Sequence, residues 1–336
     1  MATIYRDEDA TLDVLQDKTI AFVGYGNQGR SQARNMRDAG VSRIIIGNRQ
    51  DAYREQARKD GFPVVPIEDA VKNADVIMML VPDEVQPDLF RDQIEPYLKP
   101  GATLCFASGY NVAYQLIIPA SNVDVVMVAP RMIGQAVRDL YEQRQGFPAF
   151  IDVHHDATGK ATGMALAIAK AIGALRTGSL QVSFAQEAWM DLLTEQAVWP
   201  LIMAVMEAAF AVQVEAGLPP EAILLELYLS REPAEVFAQA AEVGLFKQMT
   251  LHSRTSQYGQ VTARQRMDST FIDEFIRSTL HDRIVSGAFA QEWSKEQAQG
   301  ATVLERLIHE LEGRSIARAE ADYWKHIAGQ AGQGDK

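Results

Sequence analysis

An apolar segment that leads directly into a glycine-rich loop constrains this fold more than any other feature of the sequence. Residues 19–23 have the composition of a buried strand, and Gly24, Gly26 and Gly29 follow at the spacing G-x-G-x-x-G, ahead of a helical pattern over residues 30–39. Glycines at this spacing allow a tight turn, a close approach to a pyrophosphate and a helix N-terminus that faces the anion. The strand and helix that the motif requires flank it here, so the sequence predicts a bound dinucleotide.

The first half of the chain alternates short apolar segments with helical patterns, and the second half does not. Short, fully apolar strands between helices predict a parallel sheet covered on both faces, whereas only long helical patterns follow residue 184. We therefore predict a Rossmann-type, doubly wound α/β domain over residues 1–183, an all-helical domain over residues 184–328 and a disordered tail over residues 329–336. The predicted strands cover residues 19–23, 43–46, 76–81, 103–107, 123–128 and 149–153, and the main helices after them cover residues 185–216, 220–229, 234–242, 273–286 and 302–327.

Composition excludes several classes of function. The 336 residues contain 32 Lys and Arg against 44 Asp and Glu, a formal charge of −12, which argues against non-specific binding to nucleic acids or anionic membranes. One cysteine, Cys105, leaves no internal disulfide, and the charged N-terminal segment does not match a secretory signal. The most apolar long stretch, residues 198–214, contains Glu207 and is short for a membrane span. We expect a soluble cytoplasmic protein whose partner is a small molecule.

Ligands of open parallel sheets bind beyond the carboxyl ends of the strands, where the strand order reverses. After the second predicted strand, Arg49 is suited to the ribose phosphate of NADP. Asp51 could instead hold the ribose hydroxyls of NAD, and Arg49 could be an ordinary solvated residue, so the sequence favours NADP and leaves NAD open. The predicted cofactor contacts are Gly24, Tyr25, Gly26, Asn27, Gln28, Gly29, Arg49, Pro82, Asp83, Gln86 and Gly109.

Carboxylates in the helical half predict a metal site. Asp191 and Glu195 are spaced i, i+4 and share a helix face, which in most helices is simply solvated. Here the same stripe continues through Val198 and Ile202, and Glu226 also lies in an apolar helix. Inward carboxylates need protons, cations or a metal ion, and oxygen ligands suit magnesium.

Taken together, these segments resemble ketol-acid reductoisomerase in its shorter form, with a single-length helical domain. The likeness covers nearly the whole chain and rests on several separate motifs. They are residues 4–9, the glycine loop 24–29, Leu80-Val-Pro-Asp-Glu-Val-Gln86, residues 124–130, Asp191-Leu-Leu-Thr-Glu-Gln196 and residues 289–293.

The resemblance implies a two-step reaction at a site shared between subunits. Members of this family rearrange an acetohydroxy acid by a magnesium-dependent alkyl shift and then reduce the resulting keto acid with NAD(P)H. It also implies a knotted helical domain and a homodimer or higher homo-oligomer, in which an Asp and a Glu of one subunit and two Glu of the facing subunit hold two magnesium ions. Matched residue by residue, the first pair falls on Asp191 and Glu195, the third ligand falls on Glu226, and a substrate-contacting serine falls on Ser253.

Three positions depart from the family pattern. Ser108 stands where the family has histidine, Arg131 where it has lysine, and Ser230 where the fourth carboxylate is expected; Glu232 is the nearest substitute for that carboxylate. Arginine does not release a proton near neutral pH, and serine cannot shuttle one as imidazole does. A missing carboxylate weakens a second magnesium site.

These departures lead to one principal hypothesis and two alternatives. The first is an NAD(P)H-dependent reductase that reduces a small oxo or imino substrate without alkyl migration, near Asp191, Glu195 and Glu226, with one magnesium ion or none. In this hypothesis, Arg131 stabilises developing negative charge or binds a substrate carboxylate, and Ser108 and Ser253 supply hydrogen bonds. The alternatives are an authentic ketol-acid reductoisomerase and a non-catalytic dinucleotide-binding paralogue.

Overall fold

The computed structural model describes residues 2–326, and the chain divides into two compact units, residues 1–191 and 192–336. The division lies eight residues beyond the change of pattern at residue 183, inside a helix rather than at a linker. The tail predicted over residues 329–336 lies outside the described residues.

The first unit contains a nine-stranded sheet in the order β1-β9-β8-β7-β6-β5-β2-β3-β4. The run from β4 to β7 is parallel, and the order of the strands along the chain reverses between β2 and β5. The predicted doubly wound domain is therefore confirmed. The strands are β1 (Ile4–Tyr5), β2 (Ile20–Val23), β3 (Ile44–Gly47), β4 (Val64–Val65), β5 (Val76–Met79), β6 (Thr103–Phe106), β7 (Asp124–Pro130), β8 (Ala149–His155) and β9 (Ser179–Gln181).

The sequence pattern predicted a parallel sheet, but the observed sheet also contains antiparallel pairs. β8 runs antiparallel to β7, and β1 runs antiparallel to β9. Three strands of only two or three residues, β1, β4 and β9, were not predicted, because segments this short show no periodicity.

Both faces of the sheet are covered, as predicted. Alternate residues of β2 enter opposite cores, with Ile20 and Phe22 on one side and Ala21 and Val23 on the other. The covering helices are α1 (Asn27–Asp38), α2 (Ala52–Lys59), α3 (Ile67–Asn73), α4 (Gln86–Leu89), α5 (Tyr110–Ala113), α6 (Gly134–Glu142) and α7 (Ala161–Ile172).

The described part of the second unit, residues 192–326, contains helices and no strand, as predicted. One continuous helix over residues 184–215 comprises α8 (Phe184–Leu193), a π-helical segment Thr194–Val198 and α9 (Trp199–Glu215). Two further π-helical segments, Leu225–Leu229 and Thr279–Val285, follow α10 and α13. The remaining helices are α10 (Pro220–Leu224), α11 (Glu232–Val243), α12 (Arg254–Arg266), α13 (Thr270–Ser278), α14 (Ala288–Ala298), α15 (Thr302–Glu312) and α16 (Ser315–His326).

Two features of these helices differ from the prediction. The single helix predicted over residues 302–327 is divided at Gly313 and Arg314 into α15 and α16. In the long helix, Trp199 bonds to the carbonyl of Thr194, one residue further back than in an α-helix. Pro200 follows and has no N–H to donate to residue 196, which accounts for the irregular turn. Asp191 therefore lies in the regular helix α8 and Glu195 in the irregular turn, and the knot implied by the resemblance stays a prediction.

Candidate active site

The glycine loop joins β2 to α1 and depends on two glycines for its own packing. Gly24 has a φ of +99°, and a Cβ there would lie 2.7 Å from the carbonyl oxygen of Leu80. A Cβ on Gly29 would lie 2.3 Å from the carbonyl oxygen of Gly24. At Gly26, in contrast, a Cβ would meet nothing within 4 Å, so the bare backbone faces open space at the start of α1. That space is what a pyrophosphate needs at a helix N-terminus.

Side chains beneath the loop fix its position. The Tyr25 side chain is buried, and its hydroxyl donates a hydrogen bond to Asp60 at 2.9 Å, so Tyr25 offers the crevice its backbone. Gln28 donates to the carbonyl of Met132 at 2.8 Å. A Cβ on Gly134 would lie 2.4 Å from the carbonyl carbon of Asn27, so the loop after β7 packs directly against the glycine loop.

A crevice of about 1040 Å³ opens at the carboxyl ends of β2, β3, β5 and β6, where the sequence placed the cofactor. Its position is suitable for a dinucleotide cofactor, because open α/β sheets bind ligands where the strand order reverses. Of the predicted contacts, Gly29 and Gly109 support the crevice from outside its lining. The predicted residues that line it are Gly24, Tyr25, Gly26, Asn27, Gln28, Arg49, Pro82, Asp83, Gln86 and Ser108.

Asp51 and two arginines form one end of the crevice. Asp51 caps α2 and accepts hydrogen bonds from the Asn48 side chain at 2.8 Å, from the Arg54 amide at 3.0 Å and from Arg49 at 3.0 Å. Burial raises the pKa of Asp51, but the Arg54 amide and the Arg49 guanidinium outweigh it, so the pKa lies below its usual value. Asp51 is thus ionised and engaged by the protein itself.

Arg54, which the sequence analysis did not select, also lines the crevice. Its Nε is buried and has no hydrogen-bond partner among the described residues. A buried, unpaired guanidinium nitrogen beside the exposed Arg49 suits an anionic group at this end. With the glycine cradle, these residues fit a dinucleotide that carries a ribose phosphate.

The other end of the crevice is held together by hydrogen bonds to Asp83. The Ser108 hydroxyl donates to the Asp83 carboxylate at 3.1 Å and accepts from the amide of Tyr110 at 3.2 Å. The Asn111 side chain donates to the carbonyl of Asp83 at 3.0 Å and to Gln86 at 3.2 Å. The loops after β5 and β6 are thereby joined into one wall, with Ser108 on it.

Arg131, directly after β7, forks between two carboxylates at the start of the long helix. Its Nη1 lies 2.7 Å from Glu187 Oε1, and its Nη2 lies 2.5 Å from Asp191 Oδ1. Glu187 is only 2% exposed, and its other oxygen accepts the backbone N–H of Gly109 at 2.7 Å. Burial, together with the nearby charges of Asp191 and Asp83, raises the pKa of Glu187 to about 7, against the opposing effects of the Gly109 amide and Arg131.

Glu187 was not selected from the sequence, although a signal for it exists. It lies one helical turn before Asp191, so the spacing of four residues that selected Asp191 and Glu195 extends back to it. Its burial depends on the amide of Gly109, 78 residues away, which no local pattern reveals.

The predicted residues of the helical unit are located as follows. Glu195 and Glu226 lie in the π-helical segments Thr194–Val198 and Leu225–Leu229. The Ser230 hydroxyl accepts the N–H of Glu232 at the start of α11, and the Ser253 hydroxyl caps α12 by accepting the N–H of Ser256. Ser253 therefore has a local structural partner, and its predicted contact with substrate stays a prediction.

The carboxylates suit magnesium by their chemistry, and the metal site stays a prediction, because the resemblance builds it from the ligands of two subunits. Within residues 2–326, neither unit by itself brings three His, Cys, Asp or Glu side chains into a group that could hold a metal ion. Asp191, which the resemblance assigns to a metal, accepts a hydrogen bond from Arg131 at its Oδ1.

The strand order, the glycine loop and the crevice define a dinucleotide-dependent oxidoreductase fold. Residues 14–178 match the family model "Acetohydroxy acid isomeroreductase, NADPH-binding domain", and residues 184–327 match "Ketol-acid reductoisomerase, C-terminal domain". The chain belongs to the ketol-acid reductoisomerase family and is an NAD(P)H-dependent oxidoreductase.

Relatives match almost end to end. "Putative ketol-acid reductoisomerase 3" of Saccharolobus solfataricus is 45% identical over 94% of this chain and 96% of its own length. "Ketol-acid reductoisomerase (NADP(+))" of Pyrobaculum calidifontis is 41% identical over 98% of this chain and 100% of its own. A solved structure of an NADH-preferring ketol-acid reductoisomerase from an uncultured archaeon is 34% identical, has a TM-score of 0.90, and covers 97% of this chain and 99% of its own.

Proposed function

We propose that this chain is a ketol-acid reductoisomerase that uses NADP(H), the first of the two alternatives raised by its sequence. The observation that carries the proposal is a complete cofactor crevice ending at a wall of polar groups, Asp83 and Ser108. The nearly full-length relatives of the same name support it more than they support the principal hypothesis of a reductase without alkyl migration.

The protein's own residues would hold the cofactor in an extended arrangement along the crevice. Gly26 and the first amides of α1 would receive the pyrophosphate, and Arg49 and Arg54 would receive the ribose phosphate. When bound, the nicotinamide supplies a hydride. Because Asp51 is already engaged by Asn48, Arg49 and the Arg54 amide, we favour NADP over NAD.

We also propose that the helical unit works as a dimer. Among residues 192–326, Phe210, Ile223 and Leu224 form a small buried apolar cluster, whereas Met203 and Val212 are 60% and 64% exposed. The helix over residues 184–215 is long and apolar enough to span a membrane, and only 11% of its most apolar 18-residue stretch is buried within the chain. Because Glu187 and Asp191 near its start pair with Arg131, we assign its cover to a second copy of this chain rather than to lipid.

Light scattering of the purified protein without detergent tests this assignment. We expect the mass of a dimer or a higher multiple, and Met203→Glu should reduce that mass. Ile118→Glu, at an apolar residue of the nucleotide unit that is 71% exposed, serves as the matched control and should leave the mass unchanged. A monodisperse monomer of the unmodified protein would contradict the assignment.

A second candidate function is favoured by one observation. Arg131 is hydrogen-bonded to Asp191, and Ser108 and Ser230 replace the family histidine and carboxylate, all at groups that the alkyl shift requires in the resemblance. Hydride transfer needs a positioned cofactor and a polarised acceptor, so it depends less on these groups. The second candidate is therefore reduction of a 2-oxo acid without alkyl migration.

One assay distinguishes the candidates. The full-length protein receives either 2-acetolactate or the rearranged 3-hydroxy-3-methyl-2-oxobutanoate, with NADPH or NADH, with and without magnesium. Cofactor oxidation with 2-acetolactate supports the reductoisomerase, and oxidation with only the rearranged acid supports the second candidate. Failure to bind either cofactor in a titration would contradict both and favour a non-catalytic protein.

A further inference from the structure

The Arg131 guanidinium is a fixed part of the fold rather than a mobile arm. Its backbone N–H bonds to the carbonyl of Pro148 at 2.9 Å, and its guanidinium carbon lies 5.1 Å from the centre of the Phe150 ring. The two ends of the fork bond Glu187 and Asp191. The backbone bond holds the residue in place, and three contacts set the orientation of its guanidinium.

The carboxylate on one side of the fork is equally fixed. Glu187 accepts the N–H of Gly109, and a Cβ on Gly109 would lie 2.1 Å from the carbonyl oxygen of Phe184, the first residue of α8. Gly109, in the loop after β6, thus packs against the start of α8 with no room for a side chain, and its N–H contacts Glu187. A buried carboxyl group is stabilised by a proton or by a cation, and Arg131 is the cation that contacts Glu187.

Arginine reaches the two carboxylates through a planar fork that lysine lacks. The planar fork presents separate N–H groups to Glu187 and Asp191, whereas an ammonium is a single point charge. One lone pair of Asp191 Oδ1 is consequently occupied at 2.5 Å. A metal ion at that oxygen would have to displace the guanidinium or bind beside a positive charge.

We infer that Arg131 acts as the resident cation of Glu187 and Asp191 and competes with divalent metal ions for Asp191. Arg131 is then a positioning residue that sets how much magnesium the protein requires. This deepens the proposed function and rests on it only in the assignment of Asp191 as a metal-binding carboxylate. It also revises the role expected for Arg131, because its fork is directed at the protein's own carboxylates rather than at those of a substrate.

Magnesium titration by calorimetry on the full-length protein, without substrate, tests the inference. Arg131→Lys keeps the positive charge but removes the fork whose two nitrogens bond Glu187 and Asp191, and we expect magnesium affinity to rise about tenfold. Adding Asp191→Asn to that variant should remove the gain. Arg138→Lys is the matched control, because Arg138 is another largely buried arginine that bonds two carboxylates, Asp38 and Glu142, outside the crevice; it should leave the affinity unchanged.

Equal magnesium affinity of the unmodified protein and Arg131→Lys, including no binding by either, would overturn the inference. So would a gain of the same size in Arg138→Lys or one that survives Asp191→Asn. Near-ultraviolet circular dichroism establishes that each variant is folded. Because the titration needs no turnover, a protein that fails to reduce any 2-oxo acid would contradict the proposed function and leave this test intact.

Discussion

The buried carboxyl of Glu187 predicts an unusual dependence of stability on pH. Its pKa is raised from 4.5 to about 7, chiefly by burial, so the folded state binds a proton more tightly than the unfolded chain does. The stabilisation from that proton is complete below pH 4.5 and is lost as the pH rises through 7. At about 1.4 kcal/mol for each tenfold change in proton affinity, the loss amounts to about 3 kcal/mol.

Glu187→Gln isolates this effect because glutamine keeps the shape of the side chain and does not titrate. The free energy of unfolding should be measured in urea at several pH values from 4.5 to 8, with both proteins at one fixed concentration, since oligomers gain stability with concentration. Over that range the unmodified protein should lose about 3 kcal/mol more than the variant loses. Parallel curves for the two proteins would refute the assignment of the raised pKa to Glu187.

Three further predictions follow from the crevice and the helical unit. Gly26→Ala should leave the melting temperature unchanged but weaken NADPH binding, since its Cβ meets only open space. Gly29→Ala should lower both the melting temperature and the affinity for NADPH, because its Cβ would lie 2.3 Å from a carbonyl oxygen. Equal melting temperatures for the two variants would contradict the structural role assigned to Gly29. Arg49→Gln should weaken NADPH binding about tenfold in a fluorescence titration and leave NADH binding nearly unchanged, as expected for the loss of one charge-assisted hydrogen bond to phosphate. Equal losses of affinity for both cofactors would show that Arg49 does not contact the phosphate. Met203→Glu should convert the oligomer into smaller species by light scattering, and an unchanged mass would exclude Met203 from the interface.

The nucleotide unit was predictable because its signals are local. The glycine loop follows β2 at a fixed spacing, and the carboxyl ends of parallel strands meet at one edge, so Asp83 and Ser108 could be assigned to the crevice from their positions alone. The antiparallel direction of β8 was not predictable, since an apolar strand pattern contains no information on its direction.

The site beyond the crevice was less predictable because it depends on distant contacts. Glu187 is buried by Gly109 and paired by Arg131, and neither partner is near it in sequence. Arg54 was missed because a helix surface arginine gives no sign that its Nε is buried. In the long helix, Pro200 was visible in the sequence, but the π-helical turn that precedes it was not foreseen.

We propose above all that this chain reduces a substrate of the reductoisomerase family in the crevice at the carboxyl ends of β2, β3, β5 and β6. The most direct measurement is the oxidation of NADPH with 2-acetolactate in the presence of magnesium, with the product identified by mass spectrometry. We predict stoichiometric conversion to 2,3-dihydroxy-3-methylbutanoate. No NADPH oxidation with either 2-acetolactate or 3-hydroxy-3-methyl-2-oxobutanoate, at any magnesium concentration, would contradict the claim.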